Sequence, residues 1–254
     1  MPLEPTPFYR AHLAELHQRL LTSPVARTYL TGTGIRLDGT VLTPKDRHEF
    51  PFGTLSVLEF AHLLSVFDGS RVHPQTERTF SPDEAPPGLY FTIVNSRLIQ
   101  HPGKNRLGFY ADPGGGTDLF IDGLHIDQYF LNKRNTPPML GTVAFTLCAI
   151  TAHLARLSHI SLVAAGGRGF SARHIGYRVW PKLGFDAPLE PDEIARAPHL
   201  AHCTTVQDVL ATDATWWDTH GSQRLMTFDL SAASTSWKKL LAYVDAKLSH
   251  GRLP

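Results

Sequence analysis

The feature that most constrains this chain is an apolar-striped segment held between two short apolar runs. Val143, Leu147, Ile150, Leu154 and Leu157 recur at steps of four, three, four and three residues, the spacing that draws one stripe along a helix. The pattern predicts a helix over 142–157, with Thr146, His153 and Arg156 off the stripe and Arg156 complementing the negative helix end. Residues 119–127 before it, and Ile160-Ser161-Leu162-Val163-Ala164 after it, read as strands. A strand, glycine-bearing loop, helix and strand in succession aim free backbone amides and a helix dipole at the mouth of a sheet, where a phosphate can bind.

The rest of the chain reads as ordinary globular protein. Its 254 residues suffice for a sizeable core. Twenty-four basic residues stand against 23 acidic ones, a formal charge of +1, so no whole-molecule field draws in nucleic acid or anionic membrane. The apolar runs are too short to span a bilayer, and the first residues lack the order of a signal peptide. Cys148 and Cys203 make no disulfide framework. Together these features favour a reducing, cytoplasmic compartment.

Elsewhere the periodicity predicts helices over about 8–21, 54–67 and 234–248, and strands over 89–100, 107–111 and 224–230. A short strand is expected near Thr40–Thr43. Residues 71–88 hold Pro74, Pro82, Pro86 and Pro87 and read as a loop or linker. Asp112-Pro113-Gly114-Gly115-Gly116-Thr117 reads as a turn between antiparallel strands rather than a phosphate loop, because no helix follows it. The division expected is a helical and loop extension over 1–86, then an α/β domain over 87–254 with an insertion at about 187–223.

Two motifs then carry a resemblance. Pro138-Met139-Leu140-Gly141-Thr142-Val143 precedes the long helix, and Trp180-Pro181-Lys182-Leu183-Gly184-Phe185 follows the second strand. With the element order over about 89–230, the chain resembles the GNAT superfamily of N-acetyltransferases. The resemblance implies an α/β fold with a mixed, splayed sheet flanked by helices. It also implies acetyl-CoA or another acyl-CoA bound between the strands at 119–127 and 160–164, and a small-molecule or protein amine as acceptor. Leu140, Gly141, Thr142, Arg134 and Ile126 are then the cofactor contacts, with Lys133 close upstream. The family loop begins with Arg or Gln and ends with Gly or Ala. Here Pro138 and Val143 stand at those positions, and Trp180 stands where the family has a tyrosine that protonates the departing thiolate. Tyr177 is the expected substitute.

Acyl transfer to an amine needs a base. Strand alternation puts His125 and Asp127 on one face and Asp122 on the other, so His125 with Asp127 is the expected acid/base pair. Core roles for Tyr177 and Trp180, and a structural role for His125, are the competing readings. Arg168 or Arg173, after Gly166-Gly167, is expected near phosphates or an acidic substrate, or else in a solvated turn. His199-Leu200-Ala201-His202-Cys203 lacks a second ligand pair and reads as a surface loop rather than zinc. Trp216-Trp217 is expected to pack a helix onto the sheet. Beyond an acyltransferase, the expectations include a binding or regulatory module that lost the chemistry, and an effector or signal synthase using another acyl donor.

Overall fold

A computed structural model describes residues 2–81, 85–100, 102–110, 123–167, 170, 174–195 and 197–250. The expected turn at 112–117, the first residues of the strand at 119–127 including Asp122, and both Arg168 and Arg173 lie outside the described residues.

A π-helical turn (Tyr9–Leu13) leads into α1 (Ala14–Leu21), then α2 (Pro24–Tyr29). Next come β1 (Arg36–Leu37), β2 (Thr40–Val41), the hairpin β3 (Arg47–Phe50) and β4 (Gly53–Ser56), α3 (Val57–Leu63) and β5 (Arg71–Glu77). The central part is β6 (Gly88–Val94), β7 (Asn105–Tyr110), β8 (Gly123–Gln128), α4 (Leu140–Leu154) and β9 (His159–Ala164). The chain closes with α5 (Gly176–Val179), α6 (Pro191–Ile194), α7 (Val206–His220), β10 (Arg224–Asp229) and α8 (Thr235–His250). The fold is α/β: one mixed eight-stranded sheet in the order β10-β9-β8-β7-β6-β5-β1-β2, flanked by helices. None of the helices described is long and apolar enough to cross a membrane.

The long helix differs from its sequence reading in a way that explains the core. α4 runs over Leu140–Leu154 and is buried on all sides, Thr146 and His153 included. The sheet takes one face through Ile160 and Leu162, and α1, α2 and α3 cover the others. Its polar groups tolerate burial because each is satisfied. Thr146 and Thr151 donate to carbonyls one turn back, Thr142 and Leu147, at 2.7 and 2.8 Å. His153 bridges the Leu230 carbonyl and the Thr6 hydroxyl at 2.9 and 2.8 Å. The first eighty residues therefore share the core with the rest of the chain.

Residues 71–88, expected as a loop, contain β5. Pro74 is tolerated there because β1 pairs only with Arg71 and Val72, so the missing N–H falls where β5 is a sheet edge. The 54–67 helix is shorter than expected: Thr54 and Leu55 belong to β4, and α3 starts behind Ser56. Ser56 and Glu59 form a reciprocal capping box there.

Candidate functional site

β8 and β9 run parallel and pair from Gly123 opposite His159 to Ile126 opposite Leu162. Both strands continue, to Gln128 and Ala164, with no further pairing between them. β9 stays joined to β10 through Ala164 and Arg224, so a gap opens between two otherwise continuous halves of the sheet. On the other side of β8 the register breaks at the same level. Arg106 faces Gln128 and Leu107 faces Ile126, which leaves Asp127 as the extra residue of a bulge, a device that re-aims side chains.

On the α4 side of the gap lies a cavity of about 470 Å³. Ile126 and Leu162 floor it, the first turn of α4 (Leu140, Gly141, Thr142) forms one wall, and Trp180 and Tyr243 close another. Met139 caps α4 in the left-handed conformation, at φ 70° and without a side-chain cap bond. Leu140 N–H donates to Pro137 and Val143 N–H to Met139. The amides of Gly141 and Thr142 have no acceptor among the described residues, and the positive end of the α4 dipole adds to them. Among the described residues, Lys133 contributes a cation to this cavity's lining.

The opposite face of the sheet carries a polar layer and a second pocket. His125, Gln223, Arg224 and Leu225 line that pocket, and it shares Asp127, Gln128, Val163 and His174 with the first. Asp127 is held by Arg106, whose Nη1 donates at 2.8 Å. His125 Nδ1 lies 2.9 Å from Ser161 Oγ. Burial first, then the Arg106 charge and His159, lower the His125 pKa to about 4, so its imidazole is neutral at pH 7. Its Nε2 bonds to no described residue. A neutral imidazole and a fixed carboxylate therefore border one pocket, while bare amides and an apolar wall border the other.

Sequence reasoning singled out residues that the structure distributes unevenly. Leu140, Gly141, Thr142 and Ile126 line the α4-side cavity. Leu140 and Gly141 sit in the helix itself rather than in the loop before it. Arg134 is exposed and absent from both linings, whereas Lys133 is present in one. His125 and Asp127 share a face and a pocket, yet each bonds to a different partner, Ser161 and Arg106. Tyr177 is buried in α5, borders neither pocket, and its hydroxyl donates to the Asp218 carbonyl at 3.2 Å.

The second motif positions the wall of the cavity. Gly184 takes φ 98°, and a Cβ there would sit 2.4 Å from the Ser236 carbonyl oxygen, so only glycine lets the turn after Trp180 approach α8. Trp217 is buried with its indole N–H donating to the Tyr177 carbonyl, while Trp216 stacks on His220. His199 pairs with Asp213, and no three His, Cys, Asp or Glu residues among those described are arranged to hold a metal. Tyr243, His174 and Ser161 escaped the sequence reading. No local spacing marks them, because each arrives from a different element. Comparison of the chain with protein-family models, curated proteins and solved structures finds no match.

Proposed function

We propose that this chain is an acyl-coenzyme-A-dependent N-acyltransferase of the GNAT type, moving an acetyl or longer acyl group onto the amine of a small molecule or protein. The observation that carries this reading is the parting of β8 from β9 beyond Ile126 and Leu162, beside the uncapped first turn of α4.

The residues fit such a cofactor. The Gly141 and Thr142 amides and the Lys133 ammonium suit phosphate oxygens, and the apolar floor suits a neutral arm. A bound acyl thioester supplies the activated carbonyl. From the other pocket, His125 takes the proton of the attacking amine at Nε2, and Asp127, held by Arg106, keeps a fixed negative charge beside the gap. No side chain is required as nucleophile, and positioning provides much of the rate. Tyr243 is a phenol on the cavity wall, the place that Tyr177 was expected to fill.

Thermal shift and calorimetry with acetyl-CoA test the reading. Ligand at one hundred times its Kd adds about 2.7 kcal/mol of stability, a Tm rise of about 5–10 °C for a chain of this size. A folded protein whose Tm does not move up to millimolar acetyl-CoA sinks it.

A second reading, a GNAT-type binding or regulatory module without turnover, is favoured by Trp180 at the tyrosine position and by the engagement of the Tyr177 hydroxyl with Asp218. Acetyl-CoA binding without acyl transfer to any of a panel of amines distinguishes it.

A further inference from the structure

His125 is the first member of a hydrogen-bonded chain that leads away from the gap. Its Nδ1 lies 2.9 Å from Ser161 Oγ, and Ser161 Oγ lies 3.1 Å from the Tyr110 hydroxyl. The Tyr110 hydroxyl is hydrogen-bonded to His159 Nε2, and His159 Nδ1 lies 2.6 Å from the hydroxyl of Ser158, which is exposed. The chain crosses from β8 to β9 to β7 and returns to the start of β9, so the sheet register fixes every member. His125 is opposite Ser161 across the parallel ladder, and Gly123 is opposite both Tyr110 and His159. Gly123 has no side chain to separate those two rings; a Cβ there would lie 2.8 Å from His159 Nε2 and 3.0 Å from the Tyr110 ring.

We infer that Ser161, Tyr110 and His159 form a proton relay that carries the proton taken up by His125 out to the surface at Ser158. The inference rests on the acyltransferase reading for the source of the proton and on the hydrogen-bond geometry for its route. The balance is one proton in and one out. The amine proton enters at His125 Nε2, and the His125 Nδ1 proton passes to Ser161 Oγ. The Ser161 hydroxyl proton passes to the Tyr110 oxygen, and the Tyr110 hydroxyl proton passes to His159 Nε2. His159 then releases its Nδ1 proton towards Ser158 and water. Serine and tyrosine each end as neutral hydroxyls, and both imidazoles end neutral with the alternative nitrogen protonated.

The surroundings favour outward movement. Arg106, Asp127, Tyr90 and Tyr110 surround His125 on its own face of the sheet, with Glu77 farther off on Arg106, and burial together with the guanidinium disfavours an imidazolium there. His159 is half-buried and has Asp229 opposite it on β10. Burial and the guanidinium thus oppose charge at His125, and the hydrogen-bonded route leads away from it to the half-buried His159 and the exposed Ser158.

Imidazole nitrogen spectra of the ¹⁵N-labelled full chain, followed from about pH 8 to about pH 5, test the route without any substrate. The nitrogen signals of His125 and His159 should move together over that range, and Tyr110→Phe, which removes one oxygen, should uncouple them. A His125 signal indifferent to His159 in the native chain, or an unchanged response in Tyr110→Phe, overturns the relay. In turnover, Tyr110→Phe and Ser161→Ala should each lower kcat about tenfold or more with KM for acyl-CoA unchanged, and Ser161→Thr should restore it. Unchanged kcat in both variants also overturns the relay. Native protein that transfers no acyl group at all refutes the acyltransferase reading instead, and the spectra then decide the relay alone.

Discussion

Arg106 holds Asp127 through Nη1 at 2.8 Å, with the two side chains only 7% and 5% exposed. Its other terminal nitrogen, Nη2, reaches Glu77 at 2.5 Å, and the guanidinium lies 4.2 Å from the centre of the Tyr90 ring. One cation from β7 therefore ties the bulge of β8 to the far end of β5.

Removing that cation leaves two carboxylates without a partner. Arg106→Leu should cost about 3–5 kcal/mol of stability, read as a fall in the urea midpoint. Arg106→Lys should recover only part of it, because an ammonium cannot span both carboxylates in one plane. A lysine variant as stable as the native chain would refute the two-handed role.

Buried histidines set the acid limit of stability. The pKa of His125 falls from 6.5 to about 4, and that of His17 does the same through burial and the nearby His62. Between those values the unfolded chain binds protons that the folded chain refuses, so stability rises with pH there. It is complete above about pH 6.5 and is lost as pH falls towards 4. Each group contributes up to ~1.4 kcal/mol per pH unit. His125→Gln should flatten the slope of unfolding free energy against pH in that window and leave it unchanged near pH 8. Equal slopes in both chains would exclude the effect.

Gly108 is the floor under Tyr90. A Cβ at Gly108 would lie 2.4 Å from Tyr90 Cδ1 and 2.8 Å from the Leu89 carbonyl oxygen, and Tyr90 is fully buried. Gly108→Ala should destabilise by about 1–3 kcal/mol through overpacking, in contrast to the usual gain for alanine in a strand. A thermal melt shows it; an unchanged or higher Tm contradicts the close approach.

Gly141 tests the cavity with little cost to the fold. A Cβ there meets only the end of the Leu131 side chain, at 3.0 Å, which can move aside. Gly141→Leu should keep the native melt within a few degrees while weakening acetyl-CoA binding at least about tenfold, some 1.4 kcal/mol. Full affinity in that variant would place the ligand elsewhere.

Element types were legible where one periodicity ruled. The strand pattern at 160–164 and 224–230 and the helical pattern after residue 234 match β9, β10 and α8, because β9 is a short apolar run buried on both faces while β10 alternates buried and exposed residues. α4 misled the stripe reading since Thr146, Thr151 and His153 are polar yet buried. Their satisfaction comes from their own backbone or from Thr6 and Leu230, far away in the chain. β5 was hidden by Pro74, whose acceptability depends on how short β1 is. His125, Asp127 and Gly141 were visible as chemistry-bearing residues beside predicted elements. The bulge at Asp127 has no glycine or proline to announce it, and Tyr110 and Ser161 stand 51 residues apart in the chain, so only the folded register brings them together.

The gap between β8 and β9 has an entrance on each face of the sheet, with Asp127, Val163 and His174 common to both. Under the acyltransferase proposal, donor and acceptor would then meet from opposite faces of the sheet, and neither would have to depart before the other arrives. Double-reciprocal plots should intersect rather than run parallel, and a single two-headed molecule threaded through the aperture would compete with both reactants at once.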